Sequence, residues 1–226
     1  MIAPEDWQAL RLSLLLATVT TLVLFMLCTP LAWWLAGSKS RWKPLLEAVV
    51  ALPLVLPPTV LGFYVLILLG PRGWLGAGWQ ALSGDSLAFS FSGLVIASVL
   101  YSLPFVTQPL QRAFEGVGQR TLEVAWSLGA TPWDAFWSVA VPQARHGFVT
   151  AGVLGFAHTL GEFGVVLMVG GNIPGATQVV SVAIYEQVEN LAYDRAHGLA
   201  LLLLLLSLAL LLAVHAINRR PVGALS

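Results

Sequence analysis

Residues 12–38 read LSLLLATVTTLVLFMLCTPLAWWLAGS, a stretch without a single charged side chain. An α-helix needs about 20 apolar residues to cross the hydrocarbon core of a bilayer, and this stretch is long enough to do so. It follows Glu5 and Asp6 instead of a basic region and lacks an A-x-A exit, so it does not fit a cleaved signal peptide. The stretch predicts a first membrane-spanning helix near residues 12–35.

The composition of the whole chain supports the same interpretation. Of 226 residues, 58% are apolar and only 10% are charged, whereas soluble domains carry roughly a quarter charged residues. Eleven basic and eleven acidic residues give a formal net charge of 0, so nucleic acid is not an expected partner. The single cysteine, Cys28, excludes an intrachain disulfide and a CxxC metal site. We therefore predict an all-α, polytopic helical membrane protein embedded in a lipid bilayer, with residues 1–226 forming a single transmembrane domain.

Four further apolar stretches reach the length of a membrane span. They are placed near residues 48–69, 91–111, 148–169 and 199–217. Together with the first stretch they predict five transmembrane helices, the third and fourth of which are connected by a long loop at 112–147. A mildly apolar stretch at 179–188 is predicted to form a short interfacial or re-entrant helix. We find no internal repeat, so an inverted-repeat secondary transporter has no support.

The distribution of Lys and Arg predicts the orientation, because cytoplasmic loops are enriched in these residues. With the amino terminus outside, eight basic residues lie inside and three lie outside. The inner residues are Lys39, Arg41, Lys43, Arg112, Arg120, Arg145, Arg219 and Arg220. The outer residues are Arg11, Arg72 and Arg195. We therefore expect a periplasmic amino terminus, a cytoplasmic carboxyl terminus and a cytoplasmic loop at 112–147.

This loop contains the pattern of two short helices that meet at a sharp corner. The first helix is predicted over residues 119–128 and is closed by Gly129 at its carboxyl end. The second begins at once, with Thr131 as the N-cap, Pro132 at the first helical position and Asp134 completing a variant of the capping box. The pattern therefore predicts a helix pair with very little chain between its members.

The second loop helix is predicted to be amphipathic and to end at Pro142. Its large apolar residues recur at i, i+3, i+4 and i+7, which places them on one face. They are Trp133, Phe136, Trp137 and Ala140. Two interpretations stay open: these aromatic side chains rest on lipid headgroups, or they anchor a soluble partner protein.

Residues 123–125 (Glu-Val-Ala), Gly129 and residues 141–142 (Val-Pro) together resemble the EAA loop of bacterial ABC importer permeases, written EAA-x3-G-x11-LP. Val124 and Val141 are mild departures from that pattern. The resemblance implies that the corner docks into a groove on a cytoplasmic ATPase and carries its nucleotide-driven motion into the membrane. The residues that it assigns to this joint are Glu123, Ala125, Gly129, Ala130, Thr131, Pro132, Trp133 and Pro142.

Three further strings are similar to the molybdate permeases of this family, with the sulfate permeases as the nearest relatives. They are residues 52–58 (LPLVLPP) followed by Gly62, residues 161–164 (GEFG) and residues 172–175 (NIPG). The resemblance implies a MetI-like fold in the bacterial inner membrane, working as a homodimer with an ABC ATPase and a periplasmic molybdate-binding protein. Transport of sulfate or tungstate stays an alternative, and so does a membrane scaffold that transports nothing.

The chain lacks an ATP-binding loop of its own. The pattern GxxxxGK[ST] needs a lysine after glycine, but Lys39 follows Ser38 and Lys43 follows Trp42. We therefore expect that the chain binds no cofactor and that ATP and Mg lie on the partner ATPase. The sequence also lacks HExxH and a converging Ser/His/Asp arrangement, so we do not expect an enzyme.

An oxyanion that crosses hydrocarbon needs hydrogen-bond donors along its path, yet a strongly cationic pore would hold it too tightly. Prolines at 57, 58 and 104 free backbone groups that are tolerated where they line a cavity or pack on protein. The candidate pathway residues are Pro57, Thr59, Ser102, Thr107, Gln108 and Thr159. Packing between helices is the alternative role for each hydroxyl.

Glu162 is the only formally charged side chain well inside a predicted span. Such residues are costly to insert and therefore suggest a function. Because its sign is wrong for attracting an anion, we expect Glu162 to be protonated or hydrogen-bonded to neighbouring helices, as a gate or packing element. His158 lies one helical turn earlier and is the predicted partner.

Overall fold

A computed structural model describes residues 4–218, which form a bundle of α-helices. In chain order the helices are α1 (Pro4–Gly37), α2 (Lys43–Ala51), α3 (Pro58–Leu69), α4 (Trp74–Ser83), α5 (Phe91–Val117), α6 (Gln119–Ser127), α7 (Pro132–Ala135), α8 (Val141–Gln143), α9 (Arg145–Gly161), α10 (Gly164–Gly170), α11 (Val180–Glu189) and α12 (Tyr193–Asn218). Arg219 and Arg220, which contribute to the predicted orientation, lie outside the described residues.

Three helices, α1, α5 and α12, are individually long and apolar enough to cross a bilayer. The predicted spans at 12–35, 91–111 and 199–217 lie within them. The predicted spans at 48–69 and 148–169 are not single straight helices. Each corresponds to a pair of helices bent at a short break, so the expected total of five is reached only when each bent pair counts as one span.

The first break separates α2 from α3, and the chain bends there by 106°. A short 3-10 turn at Leu52–Leu54 ends the first half, and Pro57, with an extended backbone, precedes the second. Proline lacks a backbone N–H and disfavours helical geometry in the residue before it. The consecutive prolines at 57 and 58 therefore stop one helix and start the next.

The second break lies at Glu162 and Phe163, between α9 and α10, where the bend is 61°. No proline stands at this position. Glu162 has an extended backbone with φ −61° and ψ 135°, and its N–H still donates to the carbonyl of Thr159. Proline therefore does not explain this break. The side-chain contacts of Glu162 that hold it are described below.

The core of the bundle lies along α5, which packs against α1, α9 and α10. Its buried side chains include Val106, Leu110 and Phe114. The approach of α9 is close because its contact positions are glycines: a Cβ at Gly155 would lie 2.6 Å from Cγ2 of Val106, and a Cβ at Gly147 would lie 2.2 Å from Cβ of Ala113. Small residues let helix backbones approach in this way in membranes.

Two shorter helices lie outside the predicted spans. The helix expected near 179–188 is present as α11, and its first N–H, at Val180, is capped by the Ser13 hydroxyl of α1 at 2.8 Å. The helix α4 is not predicted by the sequence analysis. It ends at Gly84, which has a left-handed φ of +80° and provides the usual glycine C-cap.

The predicted end of the second loop helix at Pro142 is wrong. A π-helical segment, Phe136–Ala140, follows α7, and α8 then continues through Pro142 to Gln143. A π turn contains one more residue than an α turn. It therefore shifts the backbone carbonyls with which the ring of a following proline would otherwise clash. The chain therefore runs on from α7 towards α9 with only a local irregularity.

Candidate functional site

The corner of the 112–147 loop is formed by Gly129, whose φ is +92°. L-amino acids with side chains rarely adopt this conformation, so glycine has a structural reason to stand here. A Cβ at this position would meet no atom within 4 Å. The corner therefore projects into open space, and its restriction comes from the backbone alone.

The second half of the corner is fixed by the predicted capping box. The Thr131 hydroxyl accepts from the N–H of Asp134 at 3.1 Å, and the Asp134 carboxylate accepts from the N–H of Thr131 at 3.2 Å. The hydrogen bonds that the Thr131 hydroxyl and then the Thr131 N–H donate to the Asp134 carboxylate lower its pKa. The carboxylate is therefore held in its charged form, in which it stabilises the start of α7.

The predicted apolar face of the second loop helix divides into two parts. Phe136 and Ala140 are buried, and the Phe136 ring packs edge-on against Trp33 of α1 with centroids 5.2 Å apart. Trp133 and Trp137, in contrast, are 68% and 54% exposed. One side of the segment thus fixes the loop to the bundle, and the two tryptophans remain available to lipid or to a partner.

The remaining residues assigned to the ATPase joint lie around this corner. Glu123, Gly129, Thr131, Pro132 and Pro142 are exposed. Ala125 and Ala130 are half-buried, and the N–H of Ala130 donates to the carbonyl of Ala125 at 3.0 Å, which ties the corner back to α6. All of the residues assigned to this joint are therefore exposed or half-buried.

Glu162 is almost fully buried, with 3% of its surface exposed, and its carboxylate is held by α5. The Ser98 hydroxyl donates to Oε2 and the Ser102 hydroxyl donates to Oε1, each at 2.6 Å. His158 Nδ1 lies 3.5 Å from Oε1, so the predicted proximity of His158 and Glu162 is present. Ser98 was not identified from the sequence.

Ser102 lies at the centre of this hydrogen-bonded cluster. Its Oγ is 2.8 Å from Nδ1 of His158 and 3.0 Å from the hydroxyl of Thr159. A hydroxyl has a single proton, so in donating it to Glu162 the Ser102 hydroxyl can only accept from these two neighbours. The His158 ring stacks on Phe105 with centroids 3.7 Å apart, which limits its rotation. The cluster is thus a packed joint between α5 and the end of α9.

The other candidate pathway residues are not part of this cluster. Pro57 and Thr59 are exposed at the break before and within the first turn of α3. Thr107 is buried, and its hydroxyl donates within its own helix to the carbonyl of Leu103 at 2.9 Å. Gln108 is half-buried on α5. The structure therefore divides the predicted set into a buried joint, an exposed break and two separate α5 residues.

Helix α10 connects the buried joint to the exposed break. A Cβ at Gly164 would lie 2.9 Å from Cβ of Pro58, and a Cβ at Gly62 would lie 2.9 Å from Cβ of Met168. These distances leave no room for additional atoms, so α10 and α3 pack with their backbones in close approach.

Two polar networks were not predicted. At one end of α5, Gln111 donates to Glu47 at 2.7 Å and to Glu115 at 3.0 Å, beside Lys43 of α2. At the other end of the bundle, the buried Asp6 carboxylate accepts from Gln187 of α11 at 2.9 Å and from Arg195 of α12 at 3.2 Å. Contacts within one helix, such as that of Gln111 with Glu115, have the i, i+4 spacing of helix neighbours. The contacts between helices join residues far apart in the sequence, so no periodic pattern signals them.

The second network joins the start of α1 to two distant helices and so orders the end of the bundle opposite the loop. Among residues 4–218, no group of three or more His, Cys, Asp and Glu side chains is arranged to hold a metal ion.

Bent helix pairs packed around a central α5, together with long apolar helices, define a polytopic helical membrane protein. The model of the family described as binding-protein-dependent transport system inner membrane component matches residues 28–222, and the chain belongs to this family. It is a multi-pass inner-membrane component of a transport system and not an enzyme.

The chain is 55% identical over 222 residues to the molybdenum transport system permease protein ModB of Azotobacter vinelandii, covering 98% of each chain. It is 35% identical over 212 residues to a probable sulfate transport system permease protein cysT of Zygnema circumcarinatum, covering 94% of this chain and 73% of the other.

Two solved structures share the fold at 18% sequence identity. One is a bacterial ABC transporter involved in the import of alginate, with a TM-score of 0.77 over 97% of this chain and 81% of the other. The other is the MetNI methionine ABC transporter in inward-facing conformations, with a TM-score of 0.69 over 97% of this chain and 100% of the other. The prediction of an all-α, MetI-like permease fold is confirmed.

Proposed function

We propose that this chain is the transmembrane permease of an ABC importer that takes up molybdate. The observation that carries the proposal is the 55% identity to a molybdenum permease over 98% of both chains. The protruding corner at Gly129 supports it, because a permease without its own ATP site needs such a contact with a motor. ATP and Mg bind to a separate ATPase, and a periplasmic molybdate-binding protein delivers the anion.

Sulfate is the second candidate substrate, because sulfate permeases match the chain at 35% identity over most of its length. Tungstate is a third, since it shares the charge and tetrahedral shape of molybdate. Uptake of labelled molybdate in competition with sulfate and tungstate, in a strain that carries only this permease, separates the three. Uptake of labelled molybdate that sulfate inhibits at lower concentrations than unlabelled molybdate does would contradict the assignment.

The loop at 112–147 faces the cytoplasm in this proposal. Placing the amino terminus outside puts Lys39, Arg41, Lys43, Arg112, Arg120 and Arg145 on the inner side, in agreement with the enrichment of basic residues in cytoplasmic loops. Reporter fusions after Arg145 should report the cytoplasm, and fusions after Pro174 should report the periplasm. The reverse result would rule out contact between the corner and a cytoplasmic ATPase.

A second copy of the chain covers the α2–α3 break in this proposal. Val55 is 83% exposed at the break, and Pro57 and Thr59 are exposed beside it. Irregular backbone at membrane depth is tolerated only where it packs on protein or lines a water-filled cavity. Two copies facing each other through this region would enclose a path whose donors are hydroxyl and backbone N–H groups.

Transport follows from closure of the two ATPase subunits on ATP. Closure moves the paired corners towards each other, and the helices that continue from them swing the bundle to an outward-open state. The binding protein releases its anion into the path, and hydrolysis restores the inward-open state. The permease supplies two conformations, and the ATPase supplies the free energy that selects between them.

The replacement Gly129→Leu tests the docking assignment, and Gly116→Leu is its matched control. A Cβ has open space at both positions, but only Gly129 has a positive φ and stands at the corner. A left-handed conformation costs an L-residue roughly 1–2 kcal/mol, and the new side chain would also obstruct the docking surface. We expect ATP-dependent uptake to fall at least about tenfold in Gly129→Leu while membrane insertion persists, and to stay near wild type in Gly116→Leu.

Uptake that Gly129→Leu leaves unchanged would contradict the docking assignment.

A further inference from the structure

The two helices that hold Glu162 both continue into the loop that carries the docking corner. Helix α5 ends at Val117, one residue before α6 begins, and α9 begins at Arg145, directly after the segment containing α8. A displacement of the corner therefore reaches both helices at the same end of the bundle. Whether the far ends move together depends on what joins them there.

At that far end the joint is the carboxylate of Glu162. The Ser98 and Ser102 hydroxyls of α5 each donate to one of its oxygens at 2.6 Å. The backbone carbonyl of Glu162 also accepts from the Ser181 hydroxyl of α11. Hydrogen bonds to a charged group are short and about twice as strong as neutral ones, and their partners here are buried. Two helices, α5 and α11, thus meet on one residue that lies at the break between α9 and α10.

Beyond the break, α10 follows Glu162 after a single residue and packs on α3 without spare room. The Gly164 position lies against Pro58, and Gly62 lies against Met168. Close-packed contacts transmit displacement instead of absorbing it. A shift of Glu162 would therefore reach the exposed break at Pro57 and Thr59 through α10.

We propose that Glu162 is a positioning residue: held by Ser98 and Ser102, it makes α10 move as one body with α5 and α9, so that motion of the docking corner reaches the start of α3. The proposal rests on the proposed permease function. It assigns the carboxylate to transmission of movement and not to contact with the anion, which agrees with its burial and its negative charge.

The double variant Ser98→Ala/Ser102→Ala removes both donors without replacing any residue of the break itself. It is tested in the full complex of two permeases, two ATPase subunits and the molybdate-binding protein in proteoliposomes. ATP hydrolysis and uptake of labelled molybdate are measured in the same vesicles. We expect the number of anions imported per ATP to fall at least about tenfold, because both donors to the carboxylate are lost, while ATP hydrolysis stays within about twofold of wild type.

The matched control is Thr20→Val. Thr20 is as buried as the two serines, and its hydroxyl has no hydrogen-bond partner among the described residues. It should import the wild-type number of anions per ATP. A wild-type ratio in the double serine variant would overturn the proposal, and so would an equal loss in Thr20→Val.

Glu162→Gln and Glu162→Lys provide a second comparison. The amide keeps one acceptor oxygen and the shape of the side chain, so we expect it to retain more coupling than the lysine, which cannot accept from either serine. Equal coupling in the two variants would contradict the role of the serine hydroxyls as donors to this residue.

Spin labels separate a loss of transmission from a loss of docking. In a Cys28→Ser background, labels at Ser138 report the loop and labels at Val60 report α3, each measured between the two copies. ATP should change both distances in the wild-type chain and only the Ser138 distance in the double serine variant. An ATP-dependent Val60 change in that variant would overturn the proposal.

The experiments distinguish failure of the proposed permease function from failure of the proposed role of Glu162. If the wild-type complex hydrolyses ATP and imports no molybdate, sulfate or tungstate, the permease function fails, and the label distances still test the joint. If the double variant does not insert, the single variants Ser98→Ala and Ser102→Ala serve instead. Each should lower coupling by less than the double variant does, because one donor remains, and wild-type coupling in both would refute the joint.

Discussion

Helices α5 and α12 have nearly the same length and both qualify as membrane spans, yet they play opposite structural parts. Half of the most apolar window of α5 is buried inside the bundle, whereas only 6% of the corresponding window of α12 is buried. Helix α5 contains Pro104 and Pro109 and carries Ser98 and Ser102. Helix α12 exposes a nearly uniform surface of leucine. The less hydrophobic helix is the central one.

The difference follows from what surrounds each helix. A helix that faces lipid needs only apolar side chains, because lipid provides no hydrogen-bond partners. A helix surrounded by other helices carries small and polar residues, which allow close approach and interhelical hydrogen bonds. High hydropathy therefore identifies membrane spans. Small and polar residues within a span identify the helix against which the other helices pack. Three matched pairs of substitutions test this contrast.

The largest difference is expected between Leu110→Ala and Leu208→Ala. Leu110 is fully buried on α5, and Leu208 is 48% exposed on α12. Truncating a buried leucine leaves a cavity and destabilises by about 2–5 kcal/mol, whereas an exposed position loses little packing. Thermal unfolding of the purified protein in detergent should show a clearly lower midpoint for Leu110→Ala only. Equal midpoints would indicate that the α5 core is not the main source of stability.

A smaller difference is expected between Gly155→Val and Gly198→Val. A Cβ at Gly155 on α9 would lie 2.6 Å from Val106 of α5, whereas a Cβ at Gly198 on α12 would meet nothing within 4 Å. Overpacking a close helix contact costs about 1–3 kcal/mol. The same detergent assay should show destabilisation by Gly155→Val and near-neutrality of Gly198→Val. A larger loss at Gly198 would show that α12 has a close partner of its own.

The smallest difference is expected between Ser102→Ala and Ser207→Ala. Ser102 donates to the buried Glu162, and Ser207 lies half-buried on α12. Loss of one hydrogen bond to a charged group destabilises by about 1.5–3 kcal/mol at most, and the second donor, Ser98, lowers that cost. A midpoint that falls in Ser102→Ala and stays constant in Ser207→Ala would support the contrast. Equal midpoints would limit Ser102 to a functional role.

The sequence predicted the regular parts of this fold well and its breaks incompletely. Apolar length is a local property, and the chain is helical wherever such a stretch was found. The prolines at 57 and 58 indicated the first break, but they did not predict the size of the bend, which is 106°. The second break, at Glu162, contains no proline that could have predicted it. Its contacts are with residues of α5 and α11, which lie far from it in the sequence or outside its own helix.

The docking corner was the most predictable part of the candidate site. Its determinants, Gly129, Thr131 and Asp134, act within a few residues of one another, so a sequence pattern contains them all. The stop at Pro142 was predicted wrongly because a π segment, unlike a capping box, has no simple residue pattern. The division between buried Phe136 and exposed Trp133 also depends on where α1 packs.

The amino-acid sequence by itself determined that this chain enters a membrane, where most of its helical stretches lie, and that a glycine corner separates the two loop helices. Hydropathy, proline and capping act over a few residues, and they do not depend on the rest of the fold. Only the tertiary structure decided that α5 is central, that Ser98 and Ser102 hold Glu162, and that α10 rests on α3. Those contacts join residues that are distant in the chain, and they exist only once the helices have packed.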